Sequence, residues 1–233
     1  MIIVLGDLLA DLSLRIEAFP VQAGGMQRVS YFELGPGGAS NTGIAAARLG
    51  LSVGHLGEIG DDRAGRWIVE DLKAEGVDVS EVIMAPRAMT AVAGVIVDAS
   101  GEPAYLGYPG RQYLPSLPET WTVRIQKAEG LFADGWIDHT RQADLILEGL
   151  QVAREAGVPS FFDPGPGNPS LDNAWHGEAC RRATVVMATE DEARRISGRS
   201  ATMDSAHALL ALGPEWVVVK RGVAGCFLVR KDE

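Results

Sequence analysis

Gly35-Pro36-Gly37-Gly38-Ala39-Ser40-Asn41-Thr42-Gly43 runs straight into a small-residue helix predicted over 41–49, which Gly50 stops. Two readings of this stretch stand side by side. In one it is a glycine loop: glycines let a backbone approach a ligand closely, and Asn41 brings a donor and an acceptor that suit a hydroxyl. In the other it is a tight strand-to-helix connection capped by Ser40 or Asn41. A dinucleotide-binding loop fits less well. The spacing is Gly35-x-Gly37-x-x-Ser40, and the strand before it alternates in polarity instead of being apolar throughout.

Outward from that stretch, strand and helix signals alternate. Residues 2–5 (Ile-Ile-Val-Leu) form a continuous apolar run ended by Gly6-Asp7, the pattern of a strand buried on both faces. Further strands are expected at 53–56, 130–133, 160–163, 185–188 and 216–219, with helices at 64–75, 143–156, 175–182, 190–197 and 205–212. Strands separated by helices of this length imply βαβ units and a mostly parallel sheet covered on both faces. Two stretches break the rhythm. Residues 12–34 and 90–107 alternate in polarity without helical period, the second with a turn at Asp98-Ala99-Ser100-Gly101. They are expected to form a small antiparallel sheet, a lid over one edge of a single α/β domain spanning 1–233.

Bulk composition narrows the function. Lys plus Arg number 21 and Asp plus Glu 31, a net charge of −10. That balance speaks against nucleic acid or an anionic membrane as partner, since neither would be neutralised. Cys180 and Cys226 are in no CxxC or metal-ligand spacing, and they read as small buried hydrophobes of a reducing cytoplasm. The apolar start of the chain has no basic segment before it and reads as a first strand, not a signal peptide.

Gly37-Gly38, then Asn41, Gly50 and, after the next strand, Gly60 are in the register of the first signature of the ribokinase-like (PfkB) carbohydrate kinases, which the chain resembles. The resemblance continues in order. Gly6-Asp7 followed by Asp11 resembles the first-strand exit whose acid accepts from substrate hydroxyls. Gly57 to Asp62 with Gly65, Glu75-Gly76-Val77-Asp78, and then Thr90 and Gly94 resemble the next blocks. Phe162-Asp163-Pro164 resembles an Asp-Pro turn, although Gly165-Pro166-Gly167-Asn168 stands where the family carries an Asn and often an Arg. Gly43 departs from the Ala, Ser or Thr usual there. Thr189-Glu190-Asp191-Glu192 occupies the place of an Asn-x-x-Glu motif that positions Mg²⁺; Glu192 matches and Thr189 does not. These residues equally describe a helix start with Thr189 as N-cap and three acids favourable to the dipole. Lys220, Gly222 and Gly225 resemble the strand and turn beside the nucleotide, with Lys220 where Thr is usual.

The resemblance implies a ribokinase-like fold and transfer of the γ-phosphoryl of ATP to a hydroxymethyl oxygen of a sugar. Mg²⁺ and an optional monovalent cation would accompany it, in a cytoplasmic protein able to dimerise through its lid. Asp11, Gly37, Gly38 and Asn41 would hold the substrate, Glu192 would place the metal, and Lys220, Gly222 and Gly225 would flank the nucleotide. A nucleoside kinase is the alternative substrate reading, and a non-catalytic sugar- or nucleotide-binding relative the alternative class. The family's Gly-Ala-Gly-Asp segment supplies the catalytic base and an anion hole at a helix N-terminus. No such motif occurs here, so the base is expected beyond Glu233, in a longer chain of which this is the substrate-binding part.

Overall fold

A computed structural model describes residues 1–110, 114–136, 140–166 and 173–231, the side chains of 140–142 excepted. Its main sheet uses β1 (Ile2–Leu5), β4 (Val53–Leu56), β9 (Gly130–Asp134), β10 (Ser160–Asp163), β11 (Val185–Thr189), β12 (Trp216–Lys220) and β13 (Cys226–Arg230). Their order is β13-β12-β11-β10-β9-β1-β4, all parallel except β13, which runs antiparallel to β12. The expected parallel strands are therefore all present. The helices are α1 (Ser40–Arg48), α2 (Arg63–Ala74), α3 (Glu119–Gln126), α4 (Thr140–Ala156), α5 (Asn173–Arg182), α6 (Glu190–Ser197) and α7 (Thr202–Leu212).

Successive strand residues face opposite sides of the sheet, so the sheet supports two cores. Ile3, Leu5, Leu131, Ala133, Phe162, Val186 and Val217 pack on one side against Trp121 and Ile125 of α3, Ile146 and Leu150 of α4, Cys180 of α5 and Leu209 of α7. Val4 and Phe132 face the other side, with Ile68 and Leu72 of α2 and with Leu8 and Ala10 of the lid. Phe162 is fully buried, and truncation to Ala would cost roughly 3–5 kcal/mol. Cys180 is buried as expected, but Cys226 is exposed, because it opens the edge strand β13.

The lid is a four-stranded sheet of β2 (Leu8–Arg15), β3 (Tyr31–Gly38), β7 (Ala91–Val97) and β8 (Pro103–Tyr108), in the order β3-β2-β7-β8. Its outer pairs are antiparallel as expected, but the central pair, β2 with β7, is parallel. Alternation reports which face a residue takes, not strand direction. A further short pair, β5 (Glu58–Gly60) with β6 (Ile83–Ala85), was not anticipated, nor was α3. Three-residue strands are too short for a period to show, and α3 is anchored from outside: Trp121 Nε1 donates to Glu81 O at 2.9 Å.

The opening stretch is the tight strand-to-helix connection of the second reading, with Ala39 alone between β3 and α1, but without the cap that reading expected. Gly35 to Gly38 are the last residues of β3, each paired with β2, so they form a strand end instead of a free loop. Neither Ser40 nor Asn41 caps α1; the N-cap is Ala39, without a side-chain hydrogen bond. Gly38, at φ +62°, makes the corner, and a Cβ there would approach Asp7 O to 2.9 Å.

Candidate functional site

All parallel strands of the main sheet end at the same edge, and in open α/β sheets ligands bind beyond the carboxyl ends of the strands. The lid folds over that edge and encloses a cleft of about 400 Å³. Asp11, Gly38 and Asn41 line it. A Cβ on Gly37 would fall on the Asp11 carboxylate, so glycine at 37 is what allows the acid to lie across β3. Burial raises the Asp11 carboxyl above its ordinary range, and the Asn41 side-chain amide, donating toward it, pulls it partly back. Three of the predicted substrate residues thus contact the cleft, and Gly37 shapes the fourth wall behind Asp11.

The floor is acidic. Asp7, Asp134 and Asp163 sit at the exits of the adjacent strands β1, β9 and β10, with Asp163 and Asp134 directly in register. Asp134 is buried, and one of its oxygens, Oδ1, accepts from Trp136 N at 2.9 Å. Desolvation first, then repulsion from Asp163 and Asp7, pushes its carboxyl up to about 7, against that hydrogen bond and the attraction of Lys220. Lys220 Nζ pairs with Asp163 Oδ2 at 2.6 Å, which ties the lysine to one of the carboxylates lining the cleft.

The other predicted residues gather at the β11–β12 end. Thr189 is directly in register with Lys220. Thr189 and Glu192 form a complete capping box on α6, Glu192 Oε2 accepting from Thr189 N at 2.7 Å. Gly222 and Gly225, at φ +54° and +83°, shape the short 3₁₀ turn between β12 and β13. From β12 to β1 is four strand spacings, roughly 19 Å. The candidate site therefore has one end at Asp11 and a second at Lys220, joined by the carboxylates of β9 and β10. Gly167 and Asn168 lie outside the described residues.

Sequence reasoning missed Asp134, Phe132, Trp136 and Tyr105, all lining the cleft. Asp134 had a legible signal: it ends an apolar strand and is followed by glycine, as Asp163 ends the next strand. The aromatics had none, because Tyr105 of β8 and Trp136 meet only through the fold, edge to face with ring centroids 5.5 Å apart.

Across all 233 residues the sequence matches the model of the pfkB family carbohydrate kinases. The chain belongs to that family. It is 32% identical over 182 residues to the ATP-dependent ribose-1-phosphate kinase of Halopiger xanaduensis, covering 78% of this chain and 59% of the relative. It is 30% identical over 205 residues to the aminoimidazole riboside kinase of Salmonella typhimurium, 84% of this chain and 64% of that one. The chain thus spans less than two thirds of either protein. The fold is that of the Arabidopsis thaliana ribokinase solved with ribose and ATP, with a TM-score of 0.82 at 20% identity over 100% of this chain and 75% of the other.

Proposed function

We propose that the protein is an ATP-dependent kinase acting on a hydroxymethyl oxygen of a sugar or sugar-like substrate. The observation that carries this is the Asp11 carboxylate laid over Gly37, beside Asn41, beneath the lid and facing the carboxyl edge of the parallel sheet. A carboxylate accepts from two vicinal hydroxyls at once, and Asn41 adds a donor and an acceptor. The names of the relatives, kinases of ribose-1-phosphate and of a riboside, support the same substrate family.

In the reaction the acceptor oxygen attacks the γ-phosphorus, and the bond from phosphorus to the β–γ bridging oxygen breaks. ADP leaves, and the hydroxyl proton passes to a base. The base implied by the family is the Asp of a Gly-Ala-Gly-Asp motif, which these 233 residues do not contain. At the nucleotide end Lys220 would exchange Asp163 for a phosphate, and the Gly222–Gly225 turn would flank the nucleotide. Among the described residues no three His, Cys or acidic side chains converge to hold a metal, so a resident metal centre does not fit them. Mg²⁺ belongs to the proposal as part of the MgATP substrate, with Glu192 orienting it through water. The monovalent cation is an optional activator without assigned ligands. The setting is cytoplasmic; no helix among the described residues is long and apolar enough to cross a membrane.

A second copy of the chain is the proposed partner. Phe32, Leu34 and Leu106 are exposed on the lid face turned away from the cleft, where a second lid would cover them.

The 233 residues by themselves are expected to be inactive without the base, so ADP formation by the full-length protein, measured across a panel of sugars and nucleosides, tests the activity. Sugar-dependent ADP release supports it. Sugar binding with no ADP formed would make the protein a non-catalytic sugar-binding relative, and no binding at all would remove the site.

A further inference from the structure

Asp134 is a built feature of the cleft floor to which phosphoryl transfer assigns no task. Gly6, at the β1 exit, makes room for it: a Cβ there would lie 2.8 Å from Asp134 Cβ. Trp136 N donates to Asp134 Oδ1 at 2.9 Å and Gly135 N to Asp163 O at 2.7 Å, which pins the turn that carries the side chain. A Cβ on Gly135 would collide with Pro164 O, so only glycine lets this turn lie against the next strand exit. The side chain shares its face of the sheet with Phe132 and Asp163, and all three line the cleft.

Asp134 is the middle acid of the row Asp7, Asp134 and Asp163, on strands roughly 4.8 Å apart. The charged groups that face it are Asp7 from the β1 exit, Asp163 from β10 and Lys220 from β12. Across the cleft lie Asp11 of β2 and Asn41 of α1. Lys220 is paired with Asp163, so among the described residues no cation pairs with the middle carboxyl, which is buried between two acids. Such a carboxyl keeps its proton, in accord with its titration at about 7. A protonated carboxyl adds a donor to its acceptors. Oδ1 accepts from Trp136 N, which leaves the proton for Oδ2. The Asn41 amide and Lys220 are already engaged, the first donating toward Asp11 and the second to Asp163. A sugar ring oxygen can only accept, and of the acids in the cleft Asp134 is the one able to serve it.

We infer that Asp134 binds the substrate as a neutral acid, donating from Oδ2 to an acceptor-only oxygen of the sugar such as the ring oxygen, while the Asp11 carboxylate accepts from the sugar's hydroxyls. Two carboxyls of one cleft thereby take opposite roles, set by what surrounds each. This rests on the sugar-site reading and adds a specificity-determining residue to it.

The test is calorimetric titration of the protein with ribose and with fructose between pH 6 and 9. For the sugar that binds, affinity should fall about tenfold per pH unit above 7, because deprotonation removes the donor and sets a carboxylate against an acceptor. At pH 8 binding should take up about one proton, read from titrations in two buffers of different ionisation heat. Asp134→Asn supplies an amide N–H in place of the acid O–H, and it should bind the sugar with the same affinity from pH 6 to 9 and without proton uptake. Asp134→Ala, its fold checked by thermal melting, should bind at least about tenfold more weakly at pH 6. A wild-type affinity that does not change with pH, or an absence of proton uptake, overturns the inference alone. A fall that persists in Asp134→Asn puts the titrating group elsewhere and overturns it too, as does full binding by Asp134→Ala. Binding of neither sugar at any pH overturns the underlying sugar site as well.

Discussion

Gly37 and Asp134 show how single residues set this site. At 37 the side chain is missing because the Asp11 carboxylate occupies its space. Gly37→Ala should weaken sugar binding at least tenfold and cost about 1–3 kcal/mol of stability, by forcing the acid off its position. Calorimetric titration alongside urea unfolding checks both. Asp134 works in the opposite sense, as a group the fold tolerates at a cost. Its folded value of about 7 lies above the ordinary carboxyl value of 3.8, so the folded state holds its proton longer. The contribution is complete below about pH 4 and is lost as pH rises through 7; a difference of about 3 units corresponds to at most about 4 kcal/mol. Asp134→Asn keeps the acceptor for Trp136 and removes the charge. It should raise the melting temperature at pH 8 and leave it nearly unchanged at pH 4. His55, fully buried in β4, tilts the acid side: burial, against a weaker backbone contribution at Leu56, pushes it down from 6.5 to about 4. The unfolded chain binds that proton first, so stability falls between pH 6.5 and 4, and His55→Leu should flatten the loss.

At the scale of elements, the joint between α2 and the lid decides where the cleft wall stands. Asp62 caps α2 by accepting from Gly65 N at 2.8 Å, and it also accepts from Thr90 N at 2.9 Å and Thr90 Oγ1 at 2.8 Å, just before β7. Burial opposes the charge, yet these hydrogen bonds outweigh it and hold the carboxyl below its usual range. Gly65 makes the close approach possible, since a Cβ there would lie 2.8 Å from Thr90 Oγ1. Asp62→Ala should cost about 2–3 kcal/mol, a lost cap together with hydrogen bonds to a charged group, and should loosen β7. A lower urea midpoint with faster amide exchange over 90–97 is the expected signature. Sequence had put Gly57 to Asp62, Gly65 and Thr90 in one family pattern without saying why; structurally they are this joint. The same lesson holds at Glu192. The helix-start reading of Thr189 to Glu192 is realised as a capping box, which leaves its role toward MgATP to be tested by substitution.

For the molecule as a whole, the lid turns Asp11 and Ser13 toward the cleft and exposes Phe32, Leu34 and Leu106 on its outer side. If a second lid covers the outer side, placing Asp at both Phe32 and Leu106, which are 63% and 66% exposed, should yield a monomer in sedimentation without unfolding the protein. An unchanged sedimentation coefficient would remove the lid from any interface. Much of this architecture was legible beforehand. Short, mainly apolar runs between helical periods pointed to the parallel sheet, because strands buried on both faces favour such composition, although β4 also buries His55. The spacing of Asp11, Gly37, Gly38 and Asn41 singled out residues that the fold gathers at one cleft, because close backbone approach demands glycine. Tertiary structure decided the rest. That Gly35 to Gly38 pair as a strand end, that β2 and β7 run parallel, that Lys220 reaches Asp163 across β11, and that Tyr105 meets Trp136 all depend on residues 24 to 82 positions apart. Local pattern encodes which face a residue takes; only packing encodes which distant residue it meets there.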